Sequence, residues 1–377
     1  MLSMQAVRTD ESQVGDAAES VGATWTRDGS LGPLVAGRIQ GGVPVPRLSI
    51  AISAIHTAVE LETTLVSVLE NRPANCEILV ALNHPYHDPY HLDGEVTFIP
   101  ADERTASPSP DLALISQCRG DVVHLIESSV QVREGWADAA LAHFDRDAHI
   151  GSVAPLVLDA RDANRVVSAG VAYKCGGKRQ ARRQTMARSR ICESNPRPEV
   201  VLGPTRTAGF YRREALVTVC ECLGRVAGDA MSDADVALSL AELGYLSVLE
   251  PRSIVHAPAM TARQKPTFAA GRAAETVFWR HAATVGWCAS LLGHAAVVSG
   301  ELLAAIAKPS LFKRLMGRGF AAFGIFSHLG HTARLAQQHR LAGDASPTSL
   351  SLVCDESEDS EHAHEATVMP TAARRAA

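Results

Sequence analysis

The residues best placed to do chemistry in this 377-residue chain fall into two acidic clusters and one basic stretch. Ser232, Asp233, Ala234, Asp235 and Val236 set two carboxylates two positions apart, and Gly244, Tyr245, Pro251 and His256 follow. An acidic side chain opening a helix can take a proton from a hydroxyl, provided that it stays ionised at working pH. Ser232 or Asp233 would equally well cap the free N–H groups of that helix. The second cluster is Glu127, Ser128 and Ser129, behind an apolar run. Carboxylates at i and i+2 on a strand-end loop suit a hard divalent ion, whereas here one carboxylate and the hydroxyl of Ser129 fill those places. That weaker set would need further oxygen or imidazole ligands to complete it. Lys174, Lys178, Arg179, Arg182, Arg183, Arg188 and Arg190 form a basic loop without an acidic residue, suited to phosphate groups or simply to solvent. A further group, His84, His87, Asp88, His91 and Asp93, contains Pro85 and Pro89, which break any helix that would align its imidazoles around a metal.

Composition narrows the classes. Lys and Arg total 36 against 41 Asp and Glu, without the positive balance of a nucleic-acid binder. The eight cysteines form no CxxC pair, and no basic segment with an apolar core resembles a secretory signal, so a reduced, cytoplasmic setting is expected. The apolar stretch 287–307 is interrupted by His294 and Glu301 and reads as a buried helix, or at most an interfacial one.

These residues need elements to hold them. Residues 48–55, 77–82, 96–100, 121–126 and 151–158 are short apolar runs that read as strands, and 59–69 and 135–144 read as helices. Residues 233–243 are helical with Val236, Leu240 and Leu243 on one face, and Gly244 stops them. Strands alternating with helices predict a mostly parallel sheet covered on both faces. Its ligands should then gather at the loops after residues 55, 82 and 126. Residues 1–46 are expected to be a disordered lead-in and 343–377 a disordered acidic tail. They enclose an α/β domain at 47–262 and a C-terminal helical region at 263–342.

In order and spacing, residues 48–69, 77–82, 121–136, 207–216 and 232–256 resemble successive blocks of family 2 glycosyltransferases with the GT-A fold, a Rossmann-like sheet flanked by helices. The chain departs from that pattern at Glu127-Ser128-Ser129, where the family has a metal-binding Asp-x-Asp, and at Ser232, where it usually has Glu. It also lacks the Gln-x-x-Arg-Trp of processive synthases over residues 272–281, which disfavours processive polymerisation.

The resemblance implies an inverting transferase that moves a sugar from a nucleotide-sugar donor to a glycan or lipid-linked acceptor. Asp233 would be its catalytic base, while Glu127 and His256 would hold Mg²⁺ or Mn²⁺. His56, Asn83, His84, Ser129 and Gly209 would line the donor site, the glycine allowing sugar and backbone to approach closely. The weakened metal motif leaves an alternative, a non-catalytic GT-A protein that binds a nucleotide or sugar or scaffolds glycan assembly. The C-terminal helices, with Lys308, Lys313, Arg314 and Arg318, could also rest on the inner face of an anionic membrane.

Overall fold

Apolar runs buried on both faces build the sheet. The computed structural model describes residues 45–54, 57–82, 86–92, 94–100, 110–194, 198–223, 232–258, 267–331, 333–335, 337, 350–351 and 369–370. Strands β1 (Leu48–Ala54), β2 (Cys76–Leu82), β3 (Val96–Pro100) and β4 (Val122–Glu127) run parallel in the order β3-β2-β1-β4. Chain order therefore reverses between β1 and β4, which is where an open α/β sheet leaves a crevice at its carboxyl edge.

Beyond β4 the sheet becomes mixed, with antiparallel as well as parallel pairs. The short β5 (Gln131–Val132) leads to α3 (Asp138–Arg146), and β6 (Ile150–Asp159) follows. After β7 (Val166–Ser168), β8 (Val171–Lys174) and β9 (Lys178–Ala181) form a two-stranded hairpin, and α4 (Arg188–Ser194) and β10 (Glu199–Val201) complete an excursion. The chain then inserts β11 (Ala208–Arg212) antiparallel between β4 and β6. Helices α5 (Arg213–Leu223) and α6 (Asp233–Glu242) precede β12 (Leu246–Ala257), which pairs parallel with β6 through a register shift between Glu250 and Ile254.

Alternation along each strand sends side chains to two cores. Ile50, Ile52 and Val80 pack with Leu61, Leu65 and Val68 of α1 (Ala58–Asn71) and Phe144 of α3. Ala51, Leu79 and Val123 pack on the other face with Leu114 and Ile115 of α2 (Pro110–Gln117), Leu216 of α5 and Leu240 of α6. Each large aliphatic side chain so buried contributes about 1.5–3 kcal/mol. The result is the α/β architecture expected, a mostly parallel sheet flanked by helices with a C-terminal helical extension. That extension comprises α7 (Phe268–Val285), α8 (Trp287–Ala307), α9 (Phe312–Ala322) and α10 (Ile325–Leu329).

Three readings of the sequence need correction. Residues 135–137 are a turn with Gly135 at φ 74°, and the helix starts at Asp138. The basic segment is no loose loop, because Arg182 and Arg183 both pair with Glu199. Helix α8 is not buried: Ser290 and His294 are its buried residues, and its leucines face outward.

Candidate active site

The crevice between β1 and β4 is built from strand ends. Ser53, near the end of β1, is the register partner of Glu127, the last residue of β4. The Ser53 hydroxyl donates to Asp111 Oδ1 at 3.0 Å, fixing the first turn of α2 over the strand ends. From the other side α6 begins at Asp233, with Ser232 at its N-cap in an extended conformation and making no side-chain capping bond. Ser53, Asp111, Glu127, Arg206 and Asp233 line one cleft.

Two arginines tie its three carboxylates together. Arg206, in the connection from β10 to β11, places NH2 3.1 Å from Asp111 Oδ2 and Nε 3.3 Å from Glu127 Oε1. Its backbone N–H donates to Asp233 Oδ2 at 3.0 Å. Arg179 of β9 donates from Nε to Asp233 Oδ1 at 3.1 Å and from NH2 to Oδ2. The Ala234 N–H, in the first turn of α6, also reaches Asp233 Oδ1, at 2.8 Å. Asp233 is thus buried and held by four donors, whereas Arg179 and Arg206 keep part of their side chains open to solvent. A planar guanidinium with solvent access is well suited to take a phosphate through paired hydrogen bonds.

The structure brings Glu127 and Asp233 together, and His256, Ser129 and Gly209 are not among the residues lining their cleft. His256 lies in β12 as the register partner of Gln131, and it is not among the residues lining the cleft. Its pKa is lowered, first by burial and then by Arg133 and Arg188, and its buried Nδ1 has no hydrogen-bond partner among the described residues. Ser129 is half-buried in the turn after Glu127. Gly209 sits opposite Leu125 in the β4–β11 ladder, where a Cβ would come within 2.6 Å of Pro204 Cγ. Packing of Pro204, rather than access for a sugar, fills the space above this glycine. His56, Asn83 and His84 lie outside the described residues.

These donors do not fit the Mg²⁺ or Mn²⁺ expected at Glu127. The carboxylate already faces the Arg206 guanidinium, so an ion there would meet a fixed positive charge in place of further oxygen ligands. Asp235, His281 and His331 bring ligand-type atoms within 4.8 Å of one another, yet they fit a metal no better. His281 Nε2 lies 2.8 Å from Asp235 Oδ1 and Nδ1 lies 2.8 Å from Glu242 Oε1, while Arg280 also pairs with Asp235. Burial alone would lower the His281 pKa, but its two carboxylate partners raise it to about 9. An imidazolium donating from both nitrogens has no lone pair for a metal. This network instead fastens α7 to α6.

Asp111 and Arg206 complete the cleft, with Arg179 paired to its Asp233, and reading the sequence alone did not single out Asp111 or Arg206. Arg179 was visible as one member of the basic stretch. Arg206 carried only the signal of a lone cation just ahead of the β11 strand, and Asp111 that of an acid in the first turn of a helix.

No protein-family model matches the chain, and no curated protein matches it significantly. Among solved structures it is similar to GalNAc-T7 with UDP, GalNAc and Mn²⁺, at 15% identity and TM-score 0.42, over 57% of this chain and 44% of that one. It is also similar to the mannosyltransferase PcManGT from Pyrobaculum calidifontis in complex with GDP-Man and Mn²⁺. That match has 15% identity and TM-score 0.41, over 78% of this chain and 86% of that one. The chain thus spans less than half the length of GalNAc-T7.

Proposed function

We propose that this protein transfers a sugar from a nucleotide-sugar donor to a hydroxyl of a glycan or lipid-linked acceptor, with inversion. One observation carries the reading: Glu127 and Asp233, far apart in the chain, line a single cleft at the switch point of the sheet together with Arg206, and Arg179 pairs with Asp233. In this reaction the acceptor oxygen bonds to the anomeric carbon, whose bond to the diphosphate oxygen breaks. The acceptor proton passes to Asp233, and the nucleoside diphosphate leaves into the guanidinium groups of Arg179 and Arg206. A direct displacement assisted by one base, with no covalent intermediate, gives inversion. No step is assigned to a divalent ion, because the arginines supply the positive charge that the departing diphosphate needs. The setting proposed for the reaction is cytoplasmic.

A second reading, a binding or scaffold protein without turnover, is favoured by the four donors that hold the Asp233 carboxylate. Calorimetric titration with UDP, GDP, dTDP and CDP, with and without Mn²⁺, separates the two when followed by assay of nucleoside diphosphate release. Binding of one nucleotide without Mn²⁺, with release from its sugar conjugate that Asp233→Asn abolishes, is the expected result. Binding without release would leave a nucleotide-binding protein without turnover, and no binding to any of the four would remove the transferase and leave the scaffold.

A further inference from the structure

Helix α8 is long and apolar enough to cross a membrane by length and composition. At 100° per residue its inward side is set by Ser290, His294, Val297 and Glu301. That side is fastened: His294 Nε2 lies 3.0 Å from Glu275 Oε1 of α7, and Glu301 pairs with Arg318 at 2.8 Å and with Arg314 at 3.1 Å. A helix with these polar groups docked on α7 and α9 cannot give them up to hydrocarbon, so it does not span.

The opposite side, roughly half the circumference over about 30 Å of helix, carries no charged residue. It presents Leu291, Leu292, Leu302, Leu303 and Ile306, with Leu303 68% and Ile306 79% exposed. Phe312, Met316, Phe320 and Phe323 of α9 and the turn after it extend the apolar surface, Phe323 being 90% exposed. An arc this wide exceeds the narrower stripe that a single partner helix would cover. The exposed charges flanking it are cationic, Lys308 and Lys313, and the one acid of α8, Glu301, is turned inward onto arginines. An apolar face with aromatic side chains and a basic margin is the composition of an element that lies in a bilayer interface and is drawn to anionic headgroups.

We infer that α8 and α9 dock this protein in-plane on an anionic lipid surface, with Leu302, Leu303, Ile306 and Phe323 entering the acyl boundary and Lys308 and Lys313 meeting the headgroups. The inference stands independently of the reaction proposed above. The test is co-sedimentation of the full chain with vesicles of phosphatidylcholine alone and of phosphatidylcholine with phosphatidylglycerol, alongside light scattering of the protein alone. Expected are pelleting with the anionic vesicles, weakened by salt and by the pair Lys308→Glu and Lys313→Glu, and loss of about tenfold or more in partition for Leu303→Glu with Ile306→Glu. Circular dichroism of these variants should match the wild type, because the substituted side chains are exposed. A soluble protein that stays in the supernatant with both vesicles would overturn the inference. So would a dimer that Leu303→Glu with Ile306→Glu dissociates while vesicles bind nothing, since the face would then belong to a second copy of the chain.

Discussion

The guanidinium of Arg179 lies alongside the carboxylate of Asp233, Nε to Oδ1 at 3.1 Å with NH2 on Oδ2, joining the β8–β9 hairpin to the first turn of α6. A carboxylate so engaged has its oxygens occupied by N–H donors until its partner is drawn away. Under the proposed reaction an arriving diphosphate competes for Arg179, so that donor binding releases the base.

The two residues should therefore separate in kinetics. Asp233→Asn keeps the size of the side chain but removes the proton acceptor, and should lower kcat by about 10²–10⁴ with donor affinity within a few-fold. Arg179→Ala should weaken donor binding by roughly ten- to a hundredfold, the worth of one charge-assisted contact. It should leave more of kcat than Asp233→Asn does. Equal losses of kcat and of affinity in the two variants would refute separate roles.

Arg206 is the cation between Asp111 and Glu127, at 3.1 and 3.3 Å. Its removal would leave those carboxylates facing one another beside Asp233, a set of hard oxygens suited to a divalent ion. Arg206→Ala should accordingly gain measurable Mn²⁺ affinity by electron paramagnetic resonance titration and lose nucleotide binding in the absence of metal. If the wild type already binds Mn²⁺ as tightly as the variant, the arginine does not stand in the ion's place.

Much of this fold is legible in the sequence because parallel strands buried on both faces read as unbroken apolar runs, as in β1, β2 and β4. The period of α1 is equally plain, since Leu61, Leu65 and Val68 repeat at helical spacing and are all buried. Helix α8 shows the limit of that reasoning: apolar content predicts a helix but not what covers it. In the cleft Glu127 and Asp233 could be found because each follows a recognisable strand end or helix start. Asp111 and Arg206 could not, because they meet through the path of the chain, 95 residues apart, and no local pattern marks either.

His281 links stability to pH. Its folded pKa of about 9 lies above the value of about 6.5 expected in the unfolded chain, so between the two the folded state holds a proton that the unfolded state has lost. The stabilisation is complete below about pH 6.5 and disappears as the pH rises through about 9, an effect of up to about 3 kcal/mol. Through this interval Asp235 stays ionised, held by Arg280 and His281 well below the carboxylate range although burial opposes it, and His331 stays neutral because burial lowers its pKa. The melting temperature should fall across this interval and do so much less in His281→Gln. A flat or rising wild-type profile would contradict the network.

Helices α7 and α9 meet through glycine. A Cβ on Gly271 would stand 1.9 Å from the carbonyl oxygen of Arg314, and one on Gly317 would stand 2.0 Å from that of Phe268. Alanine favours an isolated helix by about 1 kcal/mol over glycine, so the two substitutions set propensity against contact. Contact should win, because the obstructing atoms are backbone and can yield only if the helices part, at a cost of about 1–3 kcal/mol or more. Gly300→Ala and Gly319→Ala provide the controls, since nothing lies within 4 Å of a Cβ at either position and propensity alone should act. Thermal melts should rank Gly271→Ala and Gly317→Ala below the wild type and the two controls at or above it. Stabilisation by Gly271→Ala would mean that α7 and α9 pack less closely than this, and the inward anchoring of α8 through Glu275 and Arg318 would lose its frame.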